Sequence, residues 1–180
     1  DLLTSYNGHT ITYDSLGNPL NYYNGISYQF TWEGRRLVGA QKGSVNMSFT
    51  YDDSGLRTTK TVNGVTTEYF WDGGRLIAEK SSGGLAMYIY DAAGSVIGMQ
   101  YREADYAADE WDIYWYEKNL LGDIVAVYNE SGVKLVTYGY NAWGEITNIT
   151  YLNGSSATNV TENPFRYRGY YYDKDLGMYY

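Results

Sequence analysis

Apolar and polar residues alternate along much of this chain. Ile26, Tyr28, Phe30 and Trp32 occupy every second position, with Ser27, Gln29 and Thr31 between them. Val45, Met47, Phe49 and Tyr51 repeat the pattern around Asn46, Ser48 and Thr50, and Val65, Thr67, Tyr69 and Trp71 repeat it again. Period-two spacing places each set on one face of a pleated strand, a surface that suits β-branched and aromatic side chains. Asn7-Gly8, Asn24-Gly25, Asn63-Gly64 and Asp72-Gly73-Gly74 punctuate the strand ends, and such pairs tolerate the positive φ of tight hairpins. No helical periodicity of useful length competes. The pattern predicts an all-β protein: an antiparallel meander of repeated hairpins forming a curved, open or winding sheet.

The hairpins recur at a fixed interval. Aromatic–acid pairs fall at Tyr13-Asp14, Trp32-Glu33, Tyr51-Asp52, Trp71-Asp72 and Tyr90-Asp91, with steps of 19, 19, 20 and 19 residues between the aromatics. The turns after them alternate. Tyr13, Tyr51 and Tyr90 are followed four residues later by Gly17, Gly55 and Gly94, whereas Trp32 and Trp71 are followed two residues later by Gly34 and Gly73. Turns marked midway by Asn24-Gly25 and Gly43-Ser44 predict two strands per step, so all five anchors should line one edge of the sheet. A hairpin cannot bury a face alone, and stability should grow along the array. The next anchor by this pattern, Tyr116-Glu117, comes 26 residues after Tyr90. The excess coincides with an acidic insertion near 103–112, read as a solvated loop, with a cation or partner site as the alternative. Asn148 to Glu162, rich in Asn, Ser, Thr and Gly, reads as a long surface loop.

The units Tyr13-Asp14-Ser15-Leu16-Gly17-Asn18 and Tyr51-Asp52-Asp53-Ser54-Gly55-Leu56-Arg57 resemble the YD repeats of the Rhs family. The stretch from Asn119 through Val127 and Gly132 to Tyr140, Asn141, Ala142, Trp143, Gly144 and Glu145 resembles the start of the Rhs repeat-associated core domain. Asn163-Pro164-Phe165-Arg166-Tyr167-Arg168-Gly169, followed by Tyr170, Tyr171, Tyr172 and Asp173, is similar to that family's most specific motif. The resemblance covers essentially the whole chain. It implies residues 1–115 as YD-type hairpin repeats and 116–180 as the start of the core motif, continuous with the same sheet. It also implies an exported bacterial protein, extracellular or at the cell surface, whose β-sheet shell encloses or presents a variable C-terminal region, often a toxin. In some relatives an Asp-Pro-rich self-cleavage motif follows the core. This chain contains no Asp-Pro, so neither that chemistry nor a toxin identity carries over.

Composition narrows the chemistry. Aliphatic residues are sparse, but 23 Tyr and 5 Trp supply apolar faces with polar tips, enough for a core in 180 residues. With no Cys and one His, thiolate chemistry and multi-His metal sites are excluded, and a Ser–His–Asp arrangement has almost no room. A net charge of −8 argues against nucleic acid as a partner. No apolar run is long enough for a membrane-spanning helix. His9 reads as an exposed turn-flanking residue. Asp52, Asp53, Asp173 and Asp175 read as turn caps rather than calcium ligands. Glu68 and Glu145 carry no visible partner for a glycosidase pair. Arg166 and Arg168, if in a strand, would share one face and pair with acids of earlier repeats. The expected function is therefore a non-catalytic structural fragment with no cofactor, no metal and no catalytic residue. Its expected partners are other YD repeats of the parent chain and either a C-terminal toxin cargo or cell-wall carbohydrate. The competing reading is a carbohydrate-binding module, because sugar rings stack on exposed aromatics.

Overall fold

The computed structural model describes residues 2–154 and 163–180. A short hairpin, β1 (Ser5–Tyr6) and β2 (His9–Thr10), precedes a thirteen-stranded antiparallel sheet whose strands follow chain order without a crossover. The sheet is not closed on itself. A two-stranded hairpin, β16 (Tyr172–Asp173) and β17 (Met178–Tyr179), follows it. The chain divides into two compact units, Asp1–Gly74 and Arg75–Tyr180.

The first unit holds β3 (Asn21–Tyr23), β4 (Ser27–Glu33), β5 (Arg36–Lys42), β6 (Val45–Tyr51), β7 (Arg57–Val62) and β8 (Val65–Asp72). Alternation decides which face is buried. Tyr28, Phe30, Met47, Phe49 and Tyr69 are buried, and the residues between them are mostly exposed. Arg57 and Lys60 of β7 are also buried, 2% and 5% exposed. The Arg57 guanidinium lies 4.6 Å from the centre of the Phe49 ring and 5.8 Å from that of Tyr69, where the ring quadrupoles attract a cation.

The second unit holds β9 (Arg75–Ser81), β10 (Gly84–Tyr90), β11 (Val96–Glu103), β12 (Asp112–Lys118), β13 (Ile124–Asn129), β14 (Lys134–Tyr140) and β15 (Ile146–Tyr151). Its core is more aliphatic: Ile124, Val127 and Val136 are fully enclosed. The acidic insertion occupies the connection between β11 and β12, where Arg102 stacks 4.8 Å from the Trp111 ring centre and donates to the carbonyl of Ala108. Asn148–Tyr151, expected as loop, belongs to β15, because Thr147, Ile149, Thr150 and Tyr151 favour an extended backbone. Residues 155–162 of that predicted loop lie outside the described residues.

Each step of the repeat contains two strands: β3 and β4 before Trp32, β5 and β6 before Tyr51, β7 and β8 before Trp71, β9 and β10 before Tyr90. Alternate strands of an antiparallel meander run the same way. Within the first unit, Trp32, Tyr51 and Trp71 therefore sit near the C-terminal ends of three strands running in one direction. Tyr90 and Tyr140 hold the same place on β10 and β14 of the second. Tyr13 lies outside the sheet strands, bridged to Pro19.

Candidate functional site

The acid of each Tyr-anchored repeat is consumed by its own turn. Asp14, Asp52 and Asp91 each donate a backbone N–H to the carbonyl four residues on and accept, at the carbonyl, the N–H of the glycine three residues on. Their side-chain oxygens accept the N–H groups of Leu16 and Asn18, of Leu56, and of Ala93 and Ser95. These bonds span 2.8–2.9 Å. Gly17, Gly55 and Gly94 have φ of +82°, +85° and +82°, the left-handed conformation that returns the chain to the ladder. A bulge follows at Tyr51 and Tyr90, where the register slips by one residue.

The same turn recurs where no acid marks it. Asn119, Asn129 and Asn141 make the same backbone bonds with Asp123, Val133 and Glu145 and with Gly122, Gly132 and Gly144. Their amide oxygens accept the N–H groups of Leu121 and Asp123, of Val133, and of Trp143 and Glu145. A scan for Tyr-Asp pairs misses these turns. The spacing Asx-x-x-Gly would have found them, because the turn requires an acceptor oxygen rather than a charge. Lys118, not Tyr116, therefore holds the anchor position of β12. It pairs with Ile124 as Tyr51 pairs with Arg57 and Tyr90 with Val96, and its ammonium donates to the Ser95 hydroxyl.

The anchors themselves act as wedges with a polar tip. In the β5–β6 hairpin the ladder ends at Gly39 opposite Ser48, and Tyr51 donates its hydroxyl to the carbonyl of Leu37 at 2.8 Å. Tyr90 reaches Leu76 at 2.6 Å, Tyr140 reaches Ile124 at 2.7 Å, and the indole N–H groups of Trp32 and Trp71 reach Pro19 and Arg57, both at 2.7 Å. Tyr13 does likewise with Leu3. Strands that splay toward this edge leave carbonyls out of the ladder, and an aromatic with a donor both fills the gap and satisfies one of them. After Trp32 and Trp71 the connections are two-residue turns through Gly34 and through Gly73-Gly74. Glu33 there faces Arg36 across its hairpin, and Asp72 ends β8.

The residues of the closing motif come together on the second unit. Asn163 is fully buried and clamps Phe165 by bonding both its carbonyl and its N–H, at 2.7 and 3.0 Å. Phe165 meets Tyr88 edge to face at 4.8 Å, and Tyr88 and Tyr171 both donate to the Glu79 carboxylate. Pro164 accepts the N–H of Tyr172. The Arg166 guanidinium lies 4.1 Å from the Tyr138 ring centre, while its carbonyl accepts the N–H of Ile124. Arg166 and Arg168 are not in a strand. Tyr167–Gly169 forms a 3-10 turn in which Arg168 has φ +52° and donates its N–H to the buried Asp123 carboxylate at 2.8 Å. Tyr167 lies against Gly144, where a Cβ would stand 2.5 Å from its ring, and Tyr179 donates to the Gly144 carbonyl. Asp173, 1% exposed, accepts the N–H of Leu176 and so shapes the β16–β17 turn.

The electrostatics match this use of polar groups. Burial pushes the phenols of Tyr116, Tyr138 and Tyr140 above their ordinary range, against the partial opposition of Arg166 at all three. Such groups stay protonated. Of the three, Tyr140 donates to a carbonyl, that of Ile124, while the buried hydroxyls of Tyr116 and Tyr138 meet no hydrogen-bond partner among the described residues. His9 is exposed, with its ring 3.9 Å from that of Tyr23. A shallow cavity of about 380 Å³ beside the acidic insertion is lined by Lys80, Arg102, Glu103 and Tyr106 among others, mixing both charges. Among the described residues no His, Asp or Glu cluster could hold a metal ion, and no helix is long and apolar enough to cross a membrane. Trp143 and Leu120, at the tips of neighbouring Asx turns, are nearly or wholly exposed.

No family model matches the sequence. The chain is 31% identical over 186 residues to the tRNA3(Ser)-specific nuclease WapA of Bacillus spizizenii, and 31% identical over 187 residues to the tRNA nuclease WapA of Bacillus subtilis. In both cases 99% of this chain is covered, and the chain spans 7% of the relative's length. The fold is also similar to that in the crystal structure of TcdB2-TccC3-TEV, with a TM-score of 0.50, 13% identity, and coverage of 95% of this chain and 8% of that one.

Proposed function

We propose that this chain is a non-catalytic structural segment of a long, exported bacterial protein of the Rhs/YD-repeat kind. In this reading it forms part of a β-sheet shell or surface scaffold that encloses or presents a variable C-terminal region. The carrying observation is recurrence: one hydrogen-bonded turn and one anchor-to-carbonyl bond appear again and again, each consuming the acid, amide or phenol that could otherwise do chemistry. The WapA relatives are named as tRNA nucleases, and this chain matches a small fraction of their length. That fraction, together with the occupied carboxylates, supports placing nuclease chemistry elsewhere in such proteins. The test is direct. Incubated with total tRNA, this chain should give no cleavage above background; cleavage abolished by a single carboxylate substitution would overturn the reading. In a parent protein, deleting residues equivalent to 163–180 should expose the following region to protease, and unchanged protection would argue against a shell.

One observation favours a second reading. Trp143 is 90% exposed and Tyr170 57% exposed, both in the second unit, and flat exposed rings suit the apolar faces of sugars. A carbohydrate-binding module would show saturable binding to cell-wall polysaccharide, lost in Trp143→Ala with the fold intact. Absence of binding at millimolar saccharide would leave the scaffold alone.

A further inference from the structure

Asparagine precedes glycine at Asn7-Gly8, Asn24-Gly25, Asn63-Gly64 and Asn153-Gly154, and each of these asparagines is exposed. The pair that makes a tight turn is also chemically labile. Glycine has no Cβ to shield its amide nitrogen, so that nitrogen can reach the Cγ of the asparagine before it. Reaching it requires the carboxamide to swing and the backbone between the two atoms to rotate. The four pairs differ in both freedoms.

Two are pinned to a neighbouring strand. The Asn63 Oδ1 accepts the N–H of Asn46 on β6 at 3.0 Å, and the Asn63 N–H donates to the Asn46 carbonyl at 3.0 Å. The Asn153 Nδ2 donates to the carbonyl of Lys134 on β14 at 2.8 Å. Both asparagines are also left-handed, with φ of +48° and +54°, and the glycines after them have φ of +91° and +78°. Asn7 and Gly8 share that backbone, at +48° and +79°, between the paired Tyr6 and His9. The Asn7 carboxamide, however, bonds no described residue.

Asn24 differs from all three. Only its glycine is left-handed, with φ of +100°. The β3–β4 ladder closes at Tyr23 opposite Ser27, so three residues make the connection. The Asn24 N–H makes a long bond of 3.3 Å to the Ile26 carbonyl. Neither its carboxamide nor the Gly25 N–H bonds a described residue.

We propose that Asn24 is a self-modification site, converting to isoaspartate and aspartate ahead of the other three pairs. The Gly25 nitrogen, its proton taken by base, attacks the Asn24 Cγ. An N–Cγ bond forms, the Cγ–Nδ2 bond breaks, and Nδ2 takes a proton from solvent and leaves as ammonia. Water then opens the succinimide ring. Attack at Cγ breaks the new bond and gives aspartate; attack at the main-chain carbonyl breaks the original peptide bond and gives isoaspartate. Either product puts a carboxylate where a neutral amide stood. Isoaspartate also adds one methylene to the backbone between the first two strands of the sheet.

The folded chain, held at neutral to mildly alkaline pH and digested in acid, reads this out by mass spectrometry of the four peptides. Asn24 should convert first, roughly fivefold or more faster than Asn63 and Asn153, a factor equal to the one net hydrogen bond they must break. Asn7 should fall between. The rate at Asn24 should rise with pH, and Asn24→Gln should remove the first product while leaving the others. In denaturant the four rates should converge, because the local chemistry is then alike. Asn63 or Asn153 keeping pace with Asn24 in the folded chain would overturn the proposal. So would an Asn24 that survives while the denatured chain converts, or an order of rates that persists in denaturant.

Discussion

The two units bury polar groups in contrasting ways. In Asp1–Gly74 the buried face is furnished by the repeat itself: aromatics at alternate positions, with the Arg57 cation resting on the faces of Phe49 and Tyr69. In Arg75–Tyr180, whose core includes the enclosed Ile124, Val127 and Val136, a segment outside the repeat docks on Ile124, Tyr88 and Tyr138. That segment brings its own buried polar groups. Asn163 and Asp173 bond backbone within the segment, while the Arg166 guanidinium lies on the Tyr138 ring with two of its nitrogens short of a hydrogen-bond partner. A repeat can be lengthened hairpin by hairpin, and its polar groups need only satisfy their neighbours. A packed segment must fit one place, so its residues are tied to specific, distant positions: Arg168 to Asp123, Tyr171 to Glu79, Tyr179 to Gly144.

The sharpest test of that contrast lies in two glycines with the same φ of +85°. A Cβ at Gly144 would meet the Tyr167 ring at 2.5 Å, whereas one at Gly122 would meet nothing within 4 Å. Gly122→Ala should cost only the left-handed backbone strain, about 1–2 kcal/mol. Gly144→Ala should add overpacking and reach roughly 3 kcal/mol or more in denaturant unfolding. Equal losses would mean that Tyr167 yields readily and the segment is loosely seated.

A smaller effect belongs to the anchors. Tyr51→Phe keeps the ring and deletes the donor to Leu37, so it should cost about 1 kcal/mol, in the same denaturant assay. Tyr90→Phe should cost a similar amount through Leu76. A null result at both would reduce the anchors to apolar wedges.

The smallest effects are those of pH, and they separate the units by sign. Asp14 in the first unit is held below its ordinary value of 3.8, chiefly by the Asn18 N–H and then by the Asn18 side chain. Its contribution is complete above that ordinary value and is lost as pH falls through the lower folded one. Tyr90 in the second unit is pushed by burial from 10.0 up to about 12. Its contribution is complete below the ordinary value and is lost as pH rises through the folded one. Amide exchange at Leu16 and Asn18 should therefore quicken in acid, and Asp14→Asn should remove that response. Amides beside Tyr90 should quicken in alkali. The reverse assignment would contradict the hydrogen-bond pattern.

Much of this was legible in the sequence, for a definite reason. Strands declare themselves by period two, and the anchor step counted out two strands because Asn24-Gly25 and Gly43-Ser44 mark turns between anchors. What was not legible came from equivalences that letters hide. Lys118 fills the place of an aromatic because the position demands a long side chain with a donor at its tip. Arg166 and Arg168 read as strand neighbours, yet Arg168 has a left-handed φ and its N–H is held by the Asp123 carboxylate, forty-five residues earlier in the chain. The Glu79 carboxylate shared by Tyr88 and Tyr171 had no local signature at all.

The indifference of the turn to Asp or Asn reaches beyond the fold. The two residues are encoded by codons that differ in one nucleotide, and the hydrogen-bonded oxygen is present in both. A lineage can thus adjust the charge of such a protein in single mutational steps at Asp14, Asp52, Asp91, Asn119, Asn129 or Asn141 without redrawing the backbone. Net charge governs solubility and the long-range field a surface presents to what it meets. Each of these turns is accordingly a place where selection can retune a surface to a new environment while the architecture behind it stays the same.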